Sequence, residues 1–133
     1  MRAEFSIDVD PRRDLVRIRM AGFFRKGDIA DFLEARRAAH EALCCAPNAH
    51  LTINDICGMD IQAHDIVDSF REMLAAPEYR SRRLAFIVGN TLARSQAIRA
   101  IESRAARWFT DPAIAEDWLF ADELPEMPLR RFG

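Results

Sequence analysis

Residues 84–88 read Leu84-Ala85-Phe86-Ile87-Val88, five apolar side chains in succession, and Gly89-Asn90-Thr91 closes the run. A half-exposed strand would alternate, so an unbroken apolar run of this length predicts a central strand covered on both faces. The segments on either side complete the pattern. Upstream, Leu51 and Ile53 alternate with Thr52 and Asn54 and predict another strand, with Asp55 at its end. Between the two strands, residues 56–61 (ICGMDI) read as a loop, and Ile66, Val67, Phe70, Met73 and Leu74 form one helical face that Pro77 ends. Downstream, the spacing predicts a helix from about Leu92 to Ala106 and then a short strand at Trp108 and Phe109. Asp111-Pro112 is a start signal, an N-cap followed by proline at the first helical position, for a last helix carrying Ile114, Ala115, Trp118 and Leu119.

The first twenty residues hold a hairpin. Phe5, Ile7 and Val9 alternate with Glu4, Ser6 and Asp8; Val16, Ile18 and Met20 alternate with Arg17 and Arg19; Asp10-Pro11-Arg12-Arg13-Asp14 supplies the turn. Gly22 ends the second strand. Gly27-Asp28 opens a helix with Asp28 as its expected N-cap, and Ile29, Phe32, Leu33, Ala39 and Leu43 form its apolar face. Glu34, Arg37 and Glu41 suit its solvent side, and Pro47-Asn48 stops it. The order is β-β-α-β-α-β-α-β-α. It predicts an α/β domain with a mixed sheet of four to five strands, mostly parallel, and helices mainly on one face. Arg17 and Arg19, with Thr52 and Asn54, predict a partly wet opposite face suited to dimer contacts.

With 133 residues the chain is expected to form a single domain, with its core over about 4–120 and a tail at 121–133. Half of its residues are hydrophobic and 30% are charged, the composition of a globular protein. A net charge of −2 and a pI near 5.9 lack the basic field that nonspecific nucleic-acid binding needs. The opening MRAEFSIDVD is unlike a signal peptide, and no stretch has the ~20 apolar residues of a membrane span. Cys44, Cys45 and Cys57 have no disulfide-framework spacing, so the expected compartment is a reducing cytoplasm.

Ligands in open α/β sheets bind beyond the carboxyl ends of the parallel strands. Two segments are expected there. One carries Asp55, Gly58 and Asp60; the other carries Asn90, Thr91, Arg94, Gln96 and Arg99. Arg94 near a helix start is unfavourable unless an anion or a carboxylate lies beside it. It either holds an acidic ligand group or pairs with Asp55 or Asp60, while Asn90 or Thr91 caps the helix. Asp55 and Asp60 are either an acid/base or cation pair, or solvated and Arg-paired loop residues. Arg80, Arg82 and Arg83 read as a solvated edge. Trp108, Phe109 and Trp118 read as core, with an apolar pocket as the alternative. His40 and Cys44, four apart, with His64, lack the usual zinc spacings, and no metal site is assigned. No nucleophile elbow, P-loop or dinucleotide fingerprint occurs, so no catalytic residue and no cofactor is assigned and the chain is not expected to be an enzyme.

The hairpin, the strand ending Leu51-Thr52-Ile53-Asn54-Asp55, the run Leu84–Val88, the segment Leu92-Ala93-Arg94-Ser95-Gln96 and the later Trp108-Phe109-Thr110-Asp111 together resemble the bacterial SpoIIAA-like, STAS-type family over about residues 4–120. The resemblance implies a mixed sheet with helices and a non-catalytic binding or regulatory role. Anti-sigma-factor antagonists of that type carry a phosphorylatable serine as the second helix opens. Here the stretch reads Asp60-Ile61-Gln62-Ala63-His64, and Ser69 lies about two turns into the helix, so a phospho-switch at that place is not expected. The resulting expectation is a homodimer with a protein partner or a small ligand. The alternative is a carrier of a small apolar or acidic molecule between helix and sheet, lined by Phe70, Leu74 and Ile98.

Overall fold

The protein is described by a computed structural model over residues 2–89 and 106–121. Its elements are β1 (Glu4–Asp10), β2 (Leu15–Gly22), α1 (Lys26–His40), β3 (Leu51–Met59), α2 (His64–Ala75), a 3-10 turn (Pro77–Tyr79), β4 (Arg83–Ile87), β5 (Ala106–Phe109) and α3 (Pro112–Leu119). The five strands form one sheet in the order β1-β2-β3-β4-β5. β1 pairs antiparallel with β2, and every other pairing is parallel. The expected helix at 92–106 lies outside the described residues, apart from Ala106, which opens β5.

The apolar run of β4 is covered on both sides. Leu84, Phe86 and Val88 face a cluster with Val16, Ile18, Met20 and Ile56, closed by Ile29 and Phe32 of α1 and by Ile66 of α2. Ala85 and Ile87 face the other way and pack with Leu15, Leu51 and Ile53 beneath Ala115 and Leu119 of α3. α3 starts as its sequence signal demands: the Asp111 carboxylate accepts the Ala113 N–H at 2.9 Å, and Pro112 has no N–H to leave unpaired. Phe109 and Trp118 lie with ring centroids 5.6 Å apart against this second cluster. Arg83, expected in a solvated run, donates to the Trp118 carbonyl at 2.5 Å.

Several expectations need correction. Trp108, read as core, is 41% exposed, and Leu33, placed on the apolar face of α1, is 37% exposed. Asp28 is not the N-cap. Arg25 holds that place, and the Asp28 carboxylate reaches back one turn to accept its N–H at 2.9 Å. α1 stops at His40, so Leu43 meets the core from the following turn. Thr52 and Asn54 do not share a wet face with Arg17 and Arg19. Strand alternation turns them toward α1 and α2, where both are buried, while Arg17 and Arg19 stand exposed on the α3 side. Finally, Asp55 is mid-strand. β3 continues to Met59 through a bulge, with Arg19 opposite Asp55 but Ala21 opposite Gly58, and the Asp55 carboxylate accepts the Cys57 N–H at 3.0 Å inside the bulge.

Candidate functional site

Because β2, β3 and β4 are parallel, Gly22, Met59 and Ile87 all end on one edge of the sheet. Both α1 and α2 begin there. The β2–β3 register closes with Gly22 opposite Met59, and beyond that point the backbone groups need new partners. Gln62 supplies them. Its Oε1 accepts the Phe24 N–H at 2.8 Å, and its Nε2 donates to the Gly22 carbonyl at 2.9 Å and to the Asp60 carbonyl at 2.6 Å. The Asp60 N–H adds a bond to the Gly22 carbonyl at 3.1 Å. With Gln62 only 7% exposed, these charge-neutral bonds are shielded from competing water. One side-chain amide thus ties the loop before α1 to the loop before α2.

Gly22 completes the join. Its φ of +87° lies in the left-handed region, and a Cβ there would overlap the carbonyl of Arg2, the residue that bridges to Phe23. Phe24, fully buried, anchors the loop edge-to-face on Phe70 of α2, with centroids 5.8 Å apart. Next to the amide, Ile61 projects outward and is 52% exposed. The rim therefore presents an apolar side chain on a loop whose backbone is held by buried hydrogen bonds.

Of the candidate residues, Asp55 lies within the sheet, one strand from Arg19, and does not reach the rim loop. Gly58 is a close-approach position: a Cβ there would stand 2.9 Å from that of Ala21. Asp60 is on the rim and contributes its backbone N–H and carbonyl to the Gln62 join. Asn90, Thr91, Arg94, Gln96 and Arg99 lie outside the described residues. Sequence reasoning passed over Gln62, because a single glutamine before a helix carries no pattern; its role depends on a loop 38 positions earlier. The Cys57 thiol near this end is pushed up by burial and then by Asp55, with Arg19 acting the other way, so it is a poor nucleophile. Among the described residues, no group of three or more His, Cys, Asp or Glu is placed to hold a metal ion. His40 and Cys44 do not converge. The His40 ring meets Arg36 and His50, and the Cys44 thiol lies 4.0 Å from the Ala42 carbonyl. No described helix is long and apolar enough to cross a membrane.

Among the described residues, a hairpin feeding parallel strands, with α1 and α2 on one face and α3 on the other, gives a SpoIIAA-like α/β fold. A solved structure with that architecture is an uncharacterized protein of the DUF3478 family, with a SpoIIAA-like fold, from Shewanella loihica PV-4. It superimposes with a TM-score of 0.69 at 16% identity, covering 90% of this chain and 96% of that one. No family model and no curated protein matches the chain.

Proposed function

We propose that the chain is a non-catalytic binding or regulatory module that works as a homodimer and engages its partner through the rim where β2, β3 and β4 end. The observation that carries this reading is the Gln62 join, which holds Ile61 exposed on a pre-formed loop. A contact surface ordered before binding loses less conformational entropy on association. The opposite lateral edge suits self-association less well. β1 carries Glu4, Asp8 and Asp10, and antiparallel pairing of β1 with its own copy would bring acids together.

Replacing Ile61 by Asp tests the reading. The side chain is more than half exposed and belongs to neither core cluster of the described residues, so stability is expected to change by no more than about 0.5 kcal/mol. Native mass spectrometry of protein purified from its own host is expected to show a dimer or a retained partner for the wild type, and a bare monomer for Ile61→Asp. A wild-type chain that is monomeric and unaccompanied, or a variant that keeps the wild-type assembly, removes the rim from consideration.

One observation favours the carrier reading. Asn54 is buried on the α1–α2 face, its Nδ2 3.8 Å from the Met20 sulfur, and its Oδ1 has no hydrogen-bond partner. Buried acceptors are normally satisfied, and a ligand hydroxyl or amide would satisfy this one. Phe70, Met73 and Leu74 of α2, on the same side, are only partly buried. Without such a ligand, Asn54→Leu removes an unpaired polar group and is expected to raise stability by about 1 kcal/mol in urea unfolding. A retained small molecule in the wild type, lost in Asn54→Leu, would select the carrier over the rim.

A further inference from the structure

At the sheet edge away from the rim, α1 ends on a cluster that neither reading above uses. His40 in its last turn has Nδ1 3.0 Å from the Arg36 carbonyl and Nε2 3.3 Å from His50 Nε2. The two imidazoles meet edge-to-face, with centroids 4.8 Å apart. The other side of His40 packs edge-to-face on Tyr79, with centroids 4.9 Å apart. The Arg36 guanidinium covers the Tyr79 ring at 4.1 Å, and its Nε is buried without a partner. His50, just before β3, is 2% exposed, and its carbonyl accepts the Arg82 N–H at 2.7 Å. Three segments distant in sequence, the end of α1, the entry to β3 and the 3-10 turn, therefore converge on one ring.

We infer that this cluster is a proton-operated latch: the neutral His40 ring joins α1 to His50 and to the Pro77–Tyr79 turn, and a proton on His40 releases that join. The proton inventory and the burial of the site support it. A carbonyl accepts only, so Nδ1 of His40 carries the hydrogen it donates to Arg36. Neutral His40 then offers a lone pair at Nε2, and the hydrogen between the rings belongs to His50. A second proton on His40 has only Nε2 to occupy, where that hydrogen already points. His50 would have to move it to its own Nδ1 and the bond would reverse, and the new charge would lie in a half-buried site beside the Arg36 guanidinium, which opposes it.

The charged and titratable groups facing the ring are Arg36 from α1, His50 from the entry to β3 and Tyr79 from the turn. Glu78, from the same turn, acts on Arg36. Among the described residues, the full charge that acts on His40 is thus positive. Burial is the main cause that holds His40 below its ordinary value; the Arg36 carbonyl opposes the shift and the Arg36 charge adds to it. Asn48 donates to the Pro77 and Arg80 carbonyls, each at 2.8 Å, and remains as the tie when the ring leaves. Acid therefore loosens the seam between α1 and the turn without detaching the turn.

The sign of the stability change follows. A histidine held low contributes stability that is complete above its unfolded value of about 6.5 and is lost as pH falls toward the folded value. The test is an NMR titration of the full chain in EDTA, so that the rings respond to protons alone. The His40 ring is expected to titrate below about 6.5, with the Tyr79 ring signals moving on the same curve and the Ile61 methyls unmoved. A melting series runs alongside. The wild-type Tm is expected to hold above about pH 7 and to fall by several degrees toward pH 5, and His40→Gln is expected to lose that dependence. A His40 that titrates at or above the ordinary value, or a Tyr79 ring that ignores its titration, overturns the latch. If His40→Gln does not fold, the wild-type titration alone still decides.

Discussion

Replacing Gly22 by alanine is expected to lower the unfolding free energy by about 2–4 kcal/mol, read from urea denaturation, through two separate costs. The backbone there has φ of +87°, and a residue with a Cβ is strained by about 1–2 kcal/mol in the left-handed region. The new methyl also has no room. It would overlap the Arg2 carbonyl oxygen, with the carbonyl carbon 2.7 Å away and the Ala3 Cα 3.2 Å away. Both obstacles are backbone, so relief requires the first residues to peel from the Phe23 bridge or the Gln62 bonds to Gly22 to lengthen. Gly27 provides the control, since a Cβ there meets nothing within 4 Å. Gly27→Ala replaces a poor helix former in the first turn of α1 and is expected to leave stability unchanged or slightly raised. Equal effects at the two positions would contradict this account of the rim.

Ile87→Ala is expected to cost about 2–5 kcal/mol, the range for truncating a buried aliphatic side chain. Ile87 is 2% exposed, on the last residue of β4, beneath Ala115 and Leu119 and beside Ile53. The hole lies between a sheet and a helix of eight residues, beneath Ala115 and Leu119, the two buried residues of α3. Against a total stability of about 5–15 kcal/mol for a domain, such a loss shifts the melting curve well below wild type. Ile114 in the same helix is 56% exposed, and Ile114→Ala is expected to stay within about 0.5 kcal/mol. Similar losses at the two isoleucines would mean that α3 does not dock on the face described.

Much of the architecture is legible from short windows. The all-apolar run at Leu84–Val88, the alternation at Phe5–Val9 and Val16–Met20 and the Asp111-Pro112 start signal each report on a few neighbouring residues. Each is found where it was expected, because burial period and helix capping act over that range. Windows fail where the deciding partner is remote. Periodicity separates Thr52 and Asn54 from Leu51 and Ile53, but both sets are buried, since α3 covers one face and α1 with α2 cover the other. Asp55 marks a strand end by pattern. In space it pairs opposite Ile87 while its strand runs on through the bulge.

From the order of residues alone come the strand and helix types, their sequence and the covering of β4, since each is written into side-chain period and turn chemistry within about one element's length. The side chains that join distant loops come from the assembled chain. Gln62 finds Phe24 across 38 positions and His40 finds His50 across 10, and neither residue carries a local mark of its partner. A hydrogen bond is satisfied by an atom at about 3 Å, whatever its place in the chain, and folding brings that atom there.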